Sequence, residues 1–199
     1  MANVDTPFGL RPVQHRNGAP YNGSANHYYI PAAYGTALFI GDPVVRTGAV
    51  NTAKVGAYPV GALPVVAKAT AGTTNPITGV IVGFVSDAQS TLHNPASTER
   101  IALVCDNPEV LYEIQADGVL TPADVGLNAV LIYTNAGNTV TGQSGAELNT
   151  TGTVPATTVG FQLKIKRFAN RDDNDMAATK AKVLVTINTS TETAATVGI

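Results

Sequence analysis

The residues best suited to catalysis in this 199-residue chain are three histidines and a single cysteine. Nucleophilic catalysis needs a nucleophile, a base and a group that orients the base. His15 and His27 lie in or beside an irregular N-terminal stretch, and His93 lies in a polar loop, so each is interpreted as a solvated or locally hydrogen-bonded side chain. Cys105 closes an apolar run, which is typical of a buried, unreactive thiol. We therefore predict no serine or cysteine hydrolase.

Other short motifs also argue against an enzyme. Residues 142–145 (GQSG) lack the glycine two places after the serine that a nucleophile elbow requires. No glycine-rich motif ends in Lys-Ser or Lys-Thr, as a phosphate-binding loop would. Residues 171–175 contain three carboxylates, which hard cations favour, but they lack the glycine and distal glutamate of a calcium loop, and a polar turn is the simpler interpretation. We predict no enzyme, no cofactor and no metal site.

The composition limits the classes of partner. Charged residues make up 13% of the chain, about half the usual fraction of roughly 25%, and such a surface suits a protein that lies against other proteins. The net charge of −2 provides no basic excess for phosphates, so nucleic acid is excluded as the main partner. No apolar stretch is long enough to span a membrane. The N-terminus lacks the basic start and apolar core of a signal peptide, so we expect synthesis in a cytoplasm.

The charges are unevenly distributed along the chain. Residues 101–163 contain carboxylates but no lysine or arginine, whereas residues 164–182 contain six basic side chains. The basic stretch of one copy could complement the acidic stretch of another, or both could lie on solvated strand faces. We expect self-association as a closed homodimer or homotrimer.

Residues 1–26 differ from the rest and predict an extended N-terminal arm. Proline and glycine interrupt every period, yet apolar anchors recur between them. Such an arm would lie in apolar slots, either on its own body or on a neighbouring subunit, and both options remain open. Arginines of the arm could pair with carboxylates beside those slots, because the guanidinium fork fits a carboxylate. The expected partner-binding residues are Phe8, Leu10, Arg11, Val13, Arg16, Tyr21 and Tyr28.

Residues 27–199 predict a single β-rich domain, because short β-prone runs alternate with turn residues. Residues 161–166 alternate strictly between apolar and polar, as in a half-buried strand. Residues 78–85 are apolar on both faces and should be central, with Gly79 allowing another backbone to approach closely. Residues 121–126 predict one helical turn, and residues 137–159 a long surface hairpin or loop. The predicted strands are residues 28–31, 37–40, 43–50, 60–67, 78–85, 100–105, 110–115, 129–133, 161–168 and 183–188.

Six segments resemble head proteins of tailed bacteriophages, most closely the decoration, or cement, proteins on the outside of the head shell. They are residues 6–13 (TPFGLRPV), 18–23 (GAPYNG), 39–44 (FIGDPV), 79–84 (GVIVGF), 123–128 (ADVGLN) and 171–174 (RDDN). The resemblance carries no catalytic residue with it.

The pattern of short strands and the resemblance agree on an all-β fold, a jelly-roll-like sandwich or small β-barrel with the extended arm. The resemblance implies symmetric copies that bridge neighbouring capsid subunits, with the major capsid protein as partner. It also implies synthesis in a host bacterial cytoplasm and a place on the outer surface of the head. The alternatives are another virion part, such as a tail or head-completion protein, or a host- or glycan-binding module. A sugar-binding module is disfavoured because the chain has no tryptophan and few aromatic residues.

Overall fold

The computed structural model describes residues 3–86 and 91–193, and its regular structure is almost entirely β. The predicted all-β class is confirmed. The predicted helical turn is also present, as the 3-10 turn Pro122–Asp124, which begins after Thr121. The strands of this part of the chain are β1 (Arg11–His15), β2 (Asn26–Ile30), β3 (Pro43–Val50), β4 (Pro64–Lys68), β5 (Gly79–Phe84), β6 (Arg100–Cys105), β7 (Val110–Gln115), β8 (Asn128–Ala129), β9 (Leu131–Ile132), β10 (Glu147–Leu148), β11 (Leu163–Phe168) and β12 (Lys182–Ile187).

Five strands close into a small barrel in the order β2-β4-β3-β5-β6. β5 lies between β3 and β6, as its two-sided apolar sequence predicted. Gly79 is required there, because a Cβ at this position would stand 2.4 Å from the carbonyl oxygen of Cys105. The barrel interior is closed by apolar side chains, namely Tyr28, Ile30, Leu38, Val44, Val66, Ile81, Ala102 and Val104.

A second, antiparallel sheet has the order β1-β7-β12-β11-β8 and packs on the outside of the barrel. Both predicted architectures are therefore present in part, a small barrel and a layer stacked on it. Leu163 and Ile165 point into the shared core, as the alternation predicted. The same alternation was wrong for Gln162, which is fully buried because its amide donates to the carbonyl of Thr70 at 2.9 Å and to that of Asn75 at 3.2 Å.

The prediction of a long surface loop over residues 137–159 was wrong in its middle. Residues 144–148 are buried, and Glu147–Leu148 forms β10 beside β9. Ser144 donates a hydrogen bond to the buried carboxylate of Asp42 at 2.6 Å. The buried polar side chains of this segment form hydrogen bonds inside the protein, so its polar composition did not indicate a surface loop.

The predicted arm belongs to the body over part of its length. Residues 11–15 are extended, as expected, but they form β1 at the edge of the sheet and pair with β7. The outer edge of β1 is covered in turn by its own chain, since Tyr21 donates its backbone N–H to the carbonyl of Val13. Leu10 is in the main core, 1% exposed. Pairing and burial together anchor residues 10–15 on their own domain.

Gly9 and Gly41 lie in close backbone contact beside residues 10–15. The backbone N–H of Leu10 donates to the carbonyl of Gly41, and a Cβ on Gly9 would stand 2.2 Å from that oxygen. Gly9 also has a φ of +72°, which side-chain-bearing residues rarely adopt.

The substitution Gly9→Ala is expected to destabilise the protein by more than about 2 kcal/mol, because left-handed strain adds to a backbone clash. Gly18→Ala is the matched control, since Gly18 has a φ of +89° but nothing within 4 Å of the added Cβ. Chemical denaturation of both variants separates strain from clash. Equal losses of stability would contradict the close contact.

Candidate interaction surface

Residues 3–10, the N-terminal segment, cross the molecular surface before β1 begins. Phe8 is half-buried and borders three neighbouring grooves of about 470, 370 and 420 Å³. The guanidinium of Arg11 lies over the Phe8 ring, 4.8 Å from its centroid, a cation–π contact that holds the ring in place. The segment thus presents a fixed aromatic side chain among open grooves.

A charge network lies directly beside Phe8 and is centred on Glu113. This carboxylate is almost buried, and its two oxygens accept from Arg11 at 2.6 Å and from Arg171 at 2.9 Å. Arg171 also contacts Asp173 at 2.8 Å, and this hydrogen bond lowers the pKa of Asp173. The predicted pairing of Arg11 with a carboxylate is present, but its partner belongs to the same chain.

The first residues of the N-terminal segment are held by polar contacts. The amide of Asn3 donates to the carbonyls of Asp175 and Thr179, at 2.8 and 2.9 Å. The Asp5 carboxylate accepts from Gln115 at 2.9 Å and lies 3.3 Å from the ammonium of Lys180. These contacts are polar and either part-buried or exposed, whereas Leu10 is buried in the core, so residues 3–7 are attached more weakly than Leu10.

Glu147 is the buried end of this polar attachment. Its fully buried carboxylate accepts from Lys180 and Gln115, both at 3.1 Å, and from Asn135 at 2.8 Å. Burial alone would lower the pKa of Lys180, but the hydrogen bonds and charges of Glu147 and Asp5 outweigh it and raise that pKa. Lys180 therefore remains a charged clamp between the N-terminal segment and the body.

The expected partner-binding residues fall into two groups. Phe8, Arg11, Val13 and Arg16 are at least partly accessible, and Tyr21 is half-buried with its hydroxyl donating to the carbonyl of Ser24. For Leu10 and Tyr28 the predicted partner-binding role is corrected, because both side chains are buried in the chain's own cores in this structure. The Tyr28 hydroxyl donates to Asp106 at 2.8 Å, and burial raises its pKa.

Gln115 and Glu147 connect the N-terminal segment to the body, and neither was among the residues predicted from the sequence. The available signal was weak: Gln115 ends a strand whose alternate residues are apolar, and Glu147 lies in a polar stretch. The expected charge complementarity is also partly intramolecular. Arg171 and Lys180 of the basic stretch pair with Glu113 and Glu147 of the acidic stretch.

The three histidines each lie against an aromatic ring. His93 stacks on Phe39 with centroids 5.0 Å apart, while His15 and His27 lie near Tyr21 and Tyr58. Burial raises the pKa of the Cys105 thiol, which accepts a contact from a buried tyrosine hydroxyl. Within residues 3–86 and 91–193, no three His, Cys, Asp or Glu side chains form a group able to hold a metal ion. No helix in this part of the chain has the length and apolar character needed to cross a membrane.

Comparison of the chain with protein-family models, with curated proteins and with solved structures finds no match. Its function is therefore inferred from its own residues and their geometry.

Proposed function

We propose that this chain is a structural protein of a tailed-bacteriophage particle that decorates the outside of the head shell and cements it by bridging neighbouring capsid subunits. The partners in this proposal are the major capsid protein and other copies of the chain, as a homodimer or homotrimer. The resemblance of six segments to decoration proteins motivates it. The structural observation that carries it is the N-terminal segment, in which a weakly attached stretch and an accessible phenylalanine precede an anchored leucine.

The N-terminal segment combines a releasable part with a fixed root. Residues 3–7 are held by part-buried or exposed hydrogen bonds and by an ion pair whose carboxylate is 53% exposed, and such contacts contribute about 0–1.5 kcal/mol each. A partner surface can replace such contacts at little cost. Leu10 and β1 stay in the body, so whatever residues 3–8 bind becomes tied to a rigid β scaffold.

Exposed apolar side chains surround the start of the segment. Val4 and Met176 are more than half exposed, and so is Val119. All three adjoin the same turn, since Asn3 bonds to Asp175 and Thr179, and Val119 bridges Thr179. Apolar anchors within a polar rim are typical of protein interfaces, where a few side chains dominate the affinity.

In a closed shell, the same modest contacts are repeated by many copies of the protein. Each copy needs an interface of only about the standard size, roughly 1,600 Å² in total. A copy that touches two shell subunits gains avidity from the second contact, because that contact forms at high effective concentration. This physical requirement fits a rigid β body with adhesive surface segments and demands no catalytic pocket.

The substitution Phe8→Ala is expected to weaken binding to head shells purified without this protein by about tenfold or more, since it removes a central aromatic anchor. Occupancy is measured at limiting protein concentration by sedimentation of the shells. Val60→Ala, an exposed valine in the barrel loop before β4, is the matched control and should bind like the wild type.

Two results would contradict the proposal. Wild-type protein that leaves shells undecorated would reject a cement role. Copy number in intact particles is the second test, because a cement protein approaches the major capsid protein in abundance. A few copies per particle would instead indicate a tail or head-completion protein.

A further inference from the structure

The face of the five-stranded sheet that points away from the barrel carries a concentration of positive charge, although the whole chain has a net charge of −2. Lys164 and Lys182 alternate with inward residues on β11 and β12, and Arg167 is paired opposite Leu184 on the same face. This surface, the basic face, consists of Arg11, Arg16, Lys164, Lys166, Arg167, Arg171 and Lys182.

Carboxylates neutralise only one side of the basic face. Glu109, Glu113 and Asp173 pair with Arg16, Arg11, Arg171 and Lys182. On the other side, Lys164 and Lys166 have no carboxylate within ion-pair distance among the described residues, and Arg167 donates to the amide oxygen of Gln14 at 3.2 Å.

Lys164 and Lys166 lie two residues apart on β11, near Arg16, whose guanidinium is paired with the exposed carboxylate of Glu109. The pKa of Lys166 is lowered, first by burial and then by the neighbouring charges of Arg16 and Lys164. Like charges held together without a counter-charge are relieved when an oppositely charged surface covers them. Lys164, Lys166 and Arg167 therefore form a positively charged stretch of β11 with no carboxylate within ion-pair distance among the described residues, and an oppositely charged partner would complement it.

The outer side of the sheet also carries a small apolar cluster, and its members Leu111, Ala169 and Leu184 are all buried. Beside them lies a pocket of about 140 Å³, which is lined by Val13, Arg167 and Arg171 and also by the polar side chains of Gln14, Glu113 and Asn170. Since Glu113 already accepts from Arg171, the guanidinium that a partner's carboxylate could meet at this pocket is that of Arg167, which donates to the amide oxygen of Gln14.

We propose that the basic face is a second docking surface, for a protein surface that presents carboxylates. A phosphate backbone fits it less well, because the carboxylates of Glu113 and Asp173 lie among the basic residues and because a nucleic-acid site needs a basic excess that this chain lacks. That the carboxylate-bearing protein is a capsid subunit rests on the proposed function. The preference of the basic face for carboxylates is independent of that function.

The test uses a double variant that carries both Lys164→Glu and Lys166→Glu. It is compared with the wild type and with Lys54→Glu, a substitution of an exposed lysine in the loop between β3 and β4. With purified head shells as the probe, the double variant should bind at least about tenfold more weakly at low salt. The wild type should lose affinity as salt rises, and Lys54→Glu should match the wild type. Zero-length carbodiimide cross-linking, followed by mass spectrometry, should join Lys164 or Lys166 to Asp or Glu of the shell protein.

Two further measurements keep the outcomes distinct. If the charge-reversed double variant melts early, a double variant with Lys164→Gln and Lys166→Gln takes its place. It should show a smaller loss of shell binding in the same direction. Polyglutamate replaces the shells if wild type does not bind them, so failure of the cement role leaves the basic face testable. Equal binding of polyglutamate by wild type and the double variant would overturn the proposal. Tighter binding of a DNA duplex than of polyglutamate would also overturn it, in favour of nucleic acid.

Discussion

Replacing Leu10 with alanine is expected to destabilise the free protein by about 3 kcal/mol, because removing a buried leucine side chain costs roughly 2–5 kcal/mol. Leu10 is 1% exposed and packs in the core between the sheet and the barrel. For a chain of this length the melting temperature should fall by about 6–12 °C. Calorimetry of the isolated protein measures this loss.

Val4→Ala is the matched control for Leu10→Ala. Val4 lies in the same segment but is 67% exposed, so its truncation should change stability by less than about 0.5 kcal/mol. A Leu10→Ala protein that melts like the wild type would show that the segment does not dock on its own core in solution. That result would favour the other option for the arm, in which it crosses to a neighbouring subunit.

Replacing Glu147 with alanine should have a comparable or larger effect, about 3–5 kcal/mol, because removal of one partner of a buried ion pair leaves the other uncompensated. Lys180 would lose its contact at 3.1 Å, and the amides of Gln115 and Asn135 would lose a shared acceptor. Denaturant unfolding of the purified variant measures the change.

Asp5→Ala separates the buried part of this network from the exposed part. Asp5 contacts the same lysine, Lys180, but its side chain is 53% exposed, so its removal should cost less than about 1 kcal/mol. Similar losses for Asp5→Ala and Glu147→Ala would contradict the assignment of Glu147 as the structural member. The same pair also bears on function, since Asp5→Ala loosens residues 3–7 while the body stays folded.

The two measurements together define how the N-terminal segment is divided. A large loss for Leu10→Ala with a small loss for Asp5→Ala would locate the boundary between the fixed root and the releasable stretch within residues 6–9. Shell binding by Asp5→Ala then tests whether release of residues 3–7 helps or hinders attachment. A protein that uses these residues to reach a neighbour should bind at least as well when they are loosened.

The sequence by itself determined the class of the fold and many of its strands. The predicted bounds of β3, β6 and β7 agree with the structure, because apolar and β-branched residues bounded by turn residues are a local signal. The helical turn before Val125 was equally local, since the cap, the proline and the stop glycine lie within six residues. Residues 37–40 were the opposite case: they make only isolated bridges, from Leu38 and Ile40.

Only the tertiary structure decided which side chains are available to a partner. Arg11 meets Glu113 across 102 residues of sequence, and Ser144 meets Asp42 across the same separation. Such contacts depend on strand order and register, which closure of the barrel and packing of the sheet impose on the whole chain. Leu10 looked like a partner anchor because the core that buries it, which includes Val80, Tyr112 and Val183, is assembled from strands far along the chain. The basic face likewise became visible only when the fold paired Glu113 and Asp173 with some arginines and lysines and left Lys164 and Lys166 without a carboxylate among the described residues.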